Sequence, residues 1–481
     1  KVILPIGSWI LRGAVLVLLW YTLYHILWGT SLMTRGGYIW DPVVTFVVSA
    51  VVGGFLCRIL QLPPLLGVMW ISIMWANIPY PGYLTNGIEK HVSKIAQRVG
   101  LTIVLCRAGF SLSVKSVKPH WKESLLLATL PYGVQCVSHA LISKSLYEGS
   151  DNTWAFLEGT LVATASPAIV VPGVLYLQEQ GYGTGHGPLS LMLSAVSLEV
   201  CCGVWAANFI IGLLFDSQPL AQAIVLGPIQ FIGGIIIGIV LGIGFHYLIE
   251  LIKTSEGKRM PNGRYSKEHI NSVMRFAYFI FLLFSVGFVF FGANYSLAGG
   301  GAVCCVSFGA TVAHMWVKDD KKELVAHRTQ FGQYLANTWD ILVMPALFSM
   351  VGVQCNLKSL FNSTFTPKAL ACFFASTGCR MVVIYLIQLA SPYDWKQKIL
   401  VCFGYIGKAT AQAAIGPTAL ANVKDLIAVQ GLTADLLDQR EKAEQVLNMA
   451  LLYLLFSALM AAVFLTKMGP LVLPCSLVKH Q

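Results

Sequence analysis

Long apolar runs separated by short polar connectors dominate the chain. About fourteen of them are long enough to cross a bilayer as helices, near 9–29, 38–57, 62–80, 97–113, 121–143, 154–177, 187–214, 219–251, 270–291, 297–317, 331–353, 366–390, 397–422 and 445–473. The connectors are too short for a separate soluble domain, so the pattern predicts an all-α polytopic membrane protein of about 14 transmembrane helices. In the eighth run Gly234, Gly238 and Gly242 recur every four residues, the small-residue spacing that lets two helices pack closely.

Two runs are interrupted near their middles, at Thr164-Ala165-Ser166-Pro167 and at Gly407-Lys408-Ala409-Thr410. Hydrocarbon cannot hydrogen-bond free peptide groups, so unwound backbone at membrane depth is tolerated only against protein or a water-filled cavity. Pro167 has no amide hydrogen and clashes with the preceding turn, which predicts a break there. A broken helix exposes end charges of about half an electron, and Lys408 is placed to offset a carbonyl-rich end. For either break alone, a proline kink is the plainer reading. Paired breaks in corresponding positions of two halves instead mark the binding site of a secondary transporter. On that reading 1–37 is an extra N-terminal helix, 38–217 a first six-helix repeat, 218–253 a linker helix and 254–269 a cytosolic loop. Residues 270–481 then form a second, inverted repeat.

Composition narrows the class. Of 481 residues, 56% are hydrophobic and 11% charged, which excludes a soluble globule. The net charge of +11 would suit nucleic acid, but the basic residues sit in short loops between spans and report orientation instead. Lys115, Lys118, Lys122, Lys253, Lys258, Arg259, Arg264, Lys267, Lys318, Lys321, Lys322, Arg328, Lys396 and Lys398 fall on one side. The other side holds fewer, so the first set and both termini are expected in the cytosol, of a plasma or organellar membrane. The sequons Asn294-Tyr295-Ser296 and Asn362-Ser363-Thr364 fall on the opposite side. Most of the twelve cysteines lie inside apolar runs without metal-ligand spacing and read as small hydrophobic fillers. Phosphate-loop, zinc-protease and nucleophile-elbow motifs are absent from the sequence, so neither an enzyme nor a cofactor is expected. Beginning at Lys1 rather than Met, and with no cleavable signal peptide evident, the sequence reads as a core trimmed of cytosolic tails.

Four stretches carry a specific resemblance: IAQRVGLTIVLCRAGFSLS ending at Ser113, TASPAIVVPG (164–173), GYGTGHG (181–187) and GKATAQAAIG (407–416). They resemble the animal NHA-type sodium/proton antiporters of the cation:proton antiporter superfamily, over nearly the whole chain after residue 38. The resemblance implies an NhaA-like fold with two crossed, broken helices in a mobile core domain. It also implies a homodimer among lipids, elevator-like alternating access, and an added first helix. In the family's electrogenic members, adjacent aspartates follow the first crossing helix. Here the matching pair is Glu199-Val200. The family also pairs a core glutamate with an arginine; Arg380 matches the arginine, whereas Gln135 stands in the glutamate's place. Asp340 matches a family position expected to stabilise cationic groups or helix ends.

A buried arginine cannot neutralise itself by losing a proton and needs an anion, and Glu199 is the obvious candidate. Glu199 therefore has two readings: a carboxylate that alternates between proton and cation, or a fixed ion pair with Arg380 in which exchange is lost. Thr164, Ser166 and Asn208 could supply neutral oxygens to a dehydrated cation, although each is also an ordinary helix hydrogen-bonding residue. Glu158, eight residues before Ser166 on the same helix, is either a substitute proton carrier or a side chain snorkelling to the interface. His139 could titrate near neutral pH or simply pack. The first functional expectation is a secondary active antiporter of sodium or lithium against protons, tending to one-for-one exchange. Proton-coupled chloride or other anion transport is a second, because losing two acids beside Arg380 and Lys408 makes the site more positive. A transport-inactive receptor or regulatory subunit is a third.

Overall fold

The structure is a computed structural model, and it describes residues 3–26, 31–60, 62–78, 80, 82–112, 121–147, 151–183, 187–215, 220–256, 266–295, 297–317 and 322–474. Several sequence expectations fall outside these residues: 184–186 of the GYGTGHG stretch, 257–265 of the expected cytosolic loop, and Ser296 of the first sequon. The orienting residues Lys115, Lys118, Lys258, Arg259, Arg264, Lys318 and Lys321 also lie outside them.

The described chain is all-helical apart from turns. Its helices are α1 (Ile3–Ile26), α2 (Trp40–Ile59), α3 (Pro64–Asn77), α4 (Lys90–Ser111), α5 (Trp121–Leu146) and α6 (Asn152–Ala163). There follow α7 (Pro167–Glu179), α8 (Pro188–Phe215), α9 (Leu220–Glu256), α10 (Lys267–Asn294), α11 (Ala298–Met315) and α12 (Lys322–Thr338). Then come α13 (Met344–Gln354), α14 (Phe365–Ile387), α15 (Trp395–Gly404), α16 (Thr410–Ile415), α17 (Thr418–Gln430) and α18 (Ala434–Val463), with single helical turns at Leu357–Leu360 and Gly469–Val472. Among the described residues, ten segments are long and apolar enough to cross a membrane, some of them joining two of these helices.

Both expected breaks are present, with edges set by local chemistry. The first covers Thr164–Ser166, because Pro167 begins α7, where a missing amide hydrogen costs nothing. The second covers Tyr405–Ala409, and Thr410 opens α16. The expected non-helical stretches, 164–167 and 407–410, thus shift by one or two residues at their ends.

Two groups of helices pack around these breaks. Helix α9 lies along α11, and α10 joins them; α5 packs on α6 and α14, and α6 on α18. Helix α8 touches α5, α6 and α11, and so stands between the groups. The glycine ladder of α9 does pack: a Cβ on Gly234 would lie 2.6 Å from Gly300 O, and one on Gly238 2.6 Å from Cys304 O. The opposite face of α9 leaves Ile229, Ile232, Ile236 and Val240 exposed, as expected of a helix solvated by lipid.

Candidate functional site

The two breaks meet. Ser166 N–H donates to Gly407 O at 2.8 Å, the Ser166 and Thr410 hydroxyls lie 3.1 Å apart, and Thr410 N–H donates to Ser166 Oγ at 3.2 Å. Backbone that could not remain unpaired in hydrocarbon is thereby satisfied by the other break. The end of α6 leaves carbonyls short of intrahelical partners, and three side chains donate to them. Lys408 Nζ and Arg380 Nη1 both donate to Ala163 O, the latter at 3.0 Å. Gln412 Nε2 donates to Leu161 O and Thr164 O. Lys408 Nζ thus lies at the carbonyl end of a half-helix.

Glu199 comes to the same point from α8. It is fully buried, and Arg380 Nη2 donates to its two oxygens at 2.8 and 2.9 Å. Ala165 N–H, inside the first break, donates to Oε1 at 2.8 Å. Arg380 is equally buried; Nη1 also reaches Gln135 Oε1 at 3.3 Å, Nη2 reaches Tyr405 O at 3.4 Å, and the Tyr405 ring lies 5.0 Å from the guanidinium carbon. Gln135 therefore remains in the arginine's shell as a neutral acceptor. Helix α8 approaches closely enough to deliver Glu199 because Gly203, one turn on, has no side chain: a Cβ there would fall 2.2 Å from Thr164 Oγ1.

Not every candidate converges here. Thr164 and Ser166 do, although Thr164 Oγ1 donates to Thr160 O. Asn208 does not. It lies nine residues beyond Glu199, about 13 Å along α8, its amide donates to Val204 O, and it lines a cavity of about 210 Å³ with Gln97, Arg98, Thr418 and Asn422. Its expected role as an oxygen ligand beside Glu199 is therefore corrected: helical rise carries it away. Val200 is buried within the main apolar cluster. Asp340 is exposed in the π-helical turn Trp339–Val343, where Arg107 and Arg58 are the charges acting on it, and it lines a cavity with Ala168 and Ile169 of α7 without a hydrogen bond to Glu199 among those described.

Glu158 is the larger surprise. It does not snorkel: it is 2% exposed and accepts from Ser143 Oγ at 2.6 Å and Gln445 Nε2 at 2.7 Å. His139 Nε2 stands 3.4 Å from it, His139 Nδ1 pairs with Tyr453 OH at 2.8 Å, and Tyr453 OH pairs with Ser376 Oγ at 2.8 Å. The chain of polar groups joins α5, α6, α14 and α18. Sequence reasoning missed Ser143, Gln445, Tyr453 and Ser376, since single polar residues on apolar helices carry no signal of which helix they face. It also missed Gln412 as a partner of the α6 carbonyls, although GKATAQ contains it.

Comparison with known proteins bears on the chain as a whole. A family model described as sodium/hydrogen exchanger, transmembrane, matches residues 47–470. Sodium/hydrogen exchanger 9B2 of Mus musculus is 28% identical over 470 residues, covering 96% of this chain and 79% of the mouse protein. Sodium/hydrogen exchanger 9B1 of Homo sapiens is 25% identical over 473 residues, covering 96% and 83%. In fold, the chain is similar to the sodium proton antiporter MjNhaP1 from Methanocaldococcus jannaschii at pH 8, with a TM-score of 0.67, 15% identity, and coverage of 90% of this chain and 98% of that one.

Proposed function

Because the chain belongs to the transmembrane sodium/hydrogen exchanger family, a family of transporters rather than enzymes, we propose that it is a secondary active antiporter of sodium or lithium ions against protons. The observation that carries the reading is the crossing itself, where a buried carboxylate, Glu199, is gathered with Ser166, Thr164 and Thr410 between two helix breaks. An ionisable residue in that setting is a transport site by default. The cavity edged by Gln97, Arg98 and Asn422 extends to Ala414 and Ile415 of α16 and supplies an approach for a hydrated ion.

Exchange at Glu199 requires Arg380 to let go. Arg380 keeps Ala163 O, Gln135 Oε1 and Tyr405 O as acceptors when it does, so it stays hydrogen-bonded but loses its counter-charge. A cation or a proton arriving at Glu199 then takes the place of the guanidinium, and only one fits at a time. One carboxylate in place of two favours one-for-one, electroneutral exchange. About fourteen helices in two inverted repeats (38–217 and 270–481) joined by a linker helix, a homodimer in lipid, cytosolic termini and elevator-like alternation complete the proposal.

A second reading has a specific observation behind it. Arg380 and Lys408 both donate to Ala163 O beside one carboxylate, and that carboxylate is already paired. Such a site favours an anion, and proton-coupled chloride transport fits it. Proteoliposomes of the purified chain with a pH dye inside decide between them. Proton movement driven by sodium or lithium supports antiport, movement driven by chloride supports the second reading, and no movement with any of the three leaves a receptor or regulatory subunit.

A further inference from the structure

A buried carboxylate that is not the one at the crossing needs its own account. Among the described residues Glu158 has no Lys or Arg as a hydrogen-bond partner; its partners are a serine hydroxyl, a glutamine amide and an imidazole. Burying an ion without a fixed counter-charge is costly, so such a group persists where protonation can relieve it. Glu199 differs in kind, since a guanidinium that never loses its proton holds both its oxygens.

We propose that Glu158 and His139 form a second proton-binding site, separate from Glu199 and wired through Tyr453 to Ser376 on the helix that carries Arg380. The wiring conserves hydrogen bonds in both states. With its hydrogen on Nε2, His139 donates to Glu158, while Nδ1 accepts from Tyr453 O–H. An arriving proton binds Nδ1 as the Tyr453 hydroxyl turns toward Ser376 Oγ. The Nε2 hydrogen then passes to Glu158, leaving a neutral carboxylic acid and a neutral imidazole in the other tautomer. One proton is taken up, none is lost, and each ring nitrogen keeps a partner. Interacting groups of this kind titrate as a pair rather than singly.

The surroundings favour such a change. From α5 the cluster is faced by His139 and Ser143, with Tyr147 just beyond the helix end. From α18 it is faced by Tyr453 and Gln445, and from α14 by Cys372; Tyr147 and Cys372 both lie within electrostatic reach of Glu158. Lys368 sits over the Tyr147 ring at 5.3 Å rather than on the carboxylate. Helix α8 brings Glu199, which Arg380 holds, and α16 brings Gln412, which caps α6. Glu158 is also five residues before Ala163, so it rides on the half-helix that ends at the crossing, and Ser376 is one turn from Arg380. Its protonation is thus sensed by the elements that hold Glu199. Only the fate of this proton rests on the antiport reading; the site itself does not.

The test is pH-difference infrared spectroscopy on the purified full chain, reading carboxyl protonation directly, alongside the proteoliposome assay. Wild type should show a titrating carboxyl component that is lost in Glu158→Gln and kept in Glu199→Gln, whether or not Glu199 adds a component of its own. His139→Gln and Tyr453→Phe should displace its midpoint, by about one pH unit for the former. A carboxyl difference spectrum unchanged by Glu158→Gln, loss in Glu199→Gln of the component that Glu158→Gln removes, or no titrating carboxyl band in wild type overturns the proposal. Should Glu158→Gln fail to elute as folded protein, Ser143→Ala leaves the carboxyl in place but removes its shortest hydrogen bond, and an unmoved band there also overturns it. In the flux assay Glu158→Gln should lower cation-driven proton movement at least about tenfold. Wild type that moves no protons, yet shows the Glu158 band, refutes antiport while leaving the site standing.

Discussion

Glu199 and Glu158 are both buried carboxylates within the same bundle, yet they are solved in opposite ways. Glu199 is neutralised by a permanent cation and an amide of unwound backbone, Glu158 by neutral and titratable partners. The difference teaches that burial alone does not say how a carboxylate changes protonation; the identity of the partner does. A carboxylate held by arginine can take a proton or cation only when the guanidinium lets go, whereas one bound to imidazole and hydroxyls can gain and release a proton within its resting network.

The sharpest break in this contrast is Arg380→Met, which strands Glu199 in the interior and should cost about 3–5 kcal/mol of stability. Adding Glu199→Leu should recover most of it, because removing both charges spares their desolvation. Thermal unfolding in detergent reads both variants, and an additive double mutant would mean that the pair is not the anchor it looks to be. Gln135→Glu comes next. It sets a carboxylate within reach of Arg380 Nη1, competes with Glu199 for the guanidinium, and should raise sodium- or lithium-driven flux about tenfold, equivalent to ~1.4 kcal/mol. Unchanged flux would show that Arg380 does not restrain Glu199.

Smaller effects test the other side of the comparison. Glu158→Gln should cost only about 1 kcal/mol, since its partners stay neutral and the amide can still accept from Gln445. A loss as large as that of Arg380→Met would make Glu158 the member of a fixed ion pair. Asn208→Ala should change stability by less than about 0.5 kcal/mol and leave cation selectivity alone, because its amide only returns to its own helix. Altered selectivity in this variant would restore Asn208 to the ion site.

Much of the crossing could be read from residues alone. Pro167 announced the first break, Gly407-Lys408 the second, and the absence of an acid at Gln135 left Arg380 seeking Glu199, where it is found. These inferences worked because each rests on a local or compulsory rule: proline cannot donate, and a buried guanidinium cannot discharge. Asn208 failed because membership of one helix was mistaken for proximity. Glu158 was left open between two roles because nothing near it in the sequence reveals its neighbours.

Sequence by itself determined that this is a many-spanning helical membrane protein with two interrupted spans and a charge imbalance that must be settled inside. Hydropathy, proline chemistry and charge are properties of residues, and they survive without knowing which helix lies beside which. Tertiary structure decided everything that depends on helix facing. It put Ser143, Gln445 and His139 around Glu158, turned Val200 into the apolar cluster, and set Asn208 in the wall of the cavity that reaches α16 rather than beside Glu199. Hydrogen bonds between helices are made across gaps of up to 331 positions in the chain, and only packing selects which of the many possible partners come within about 3 Å.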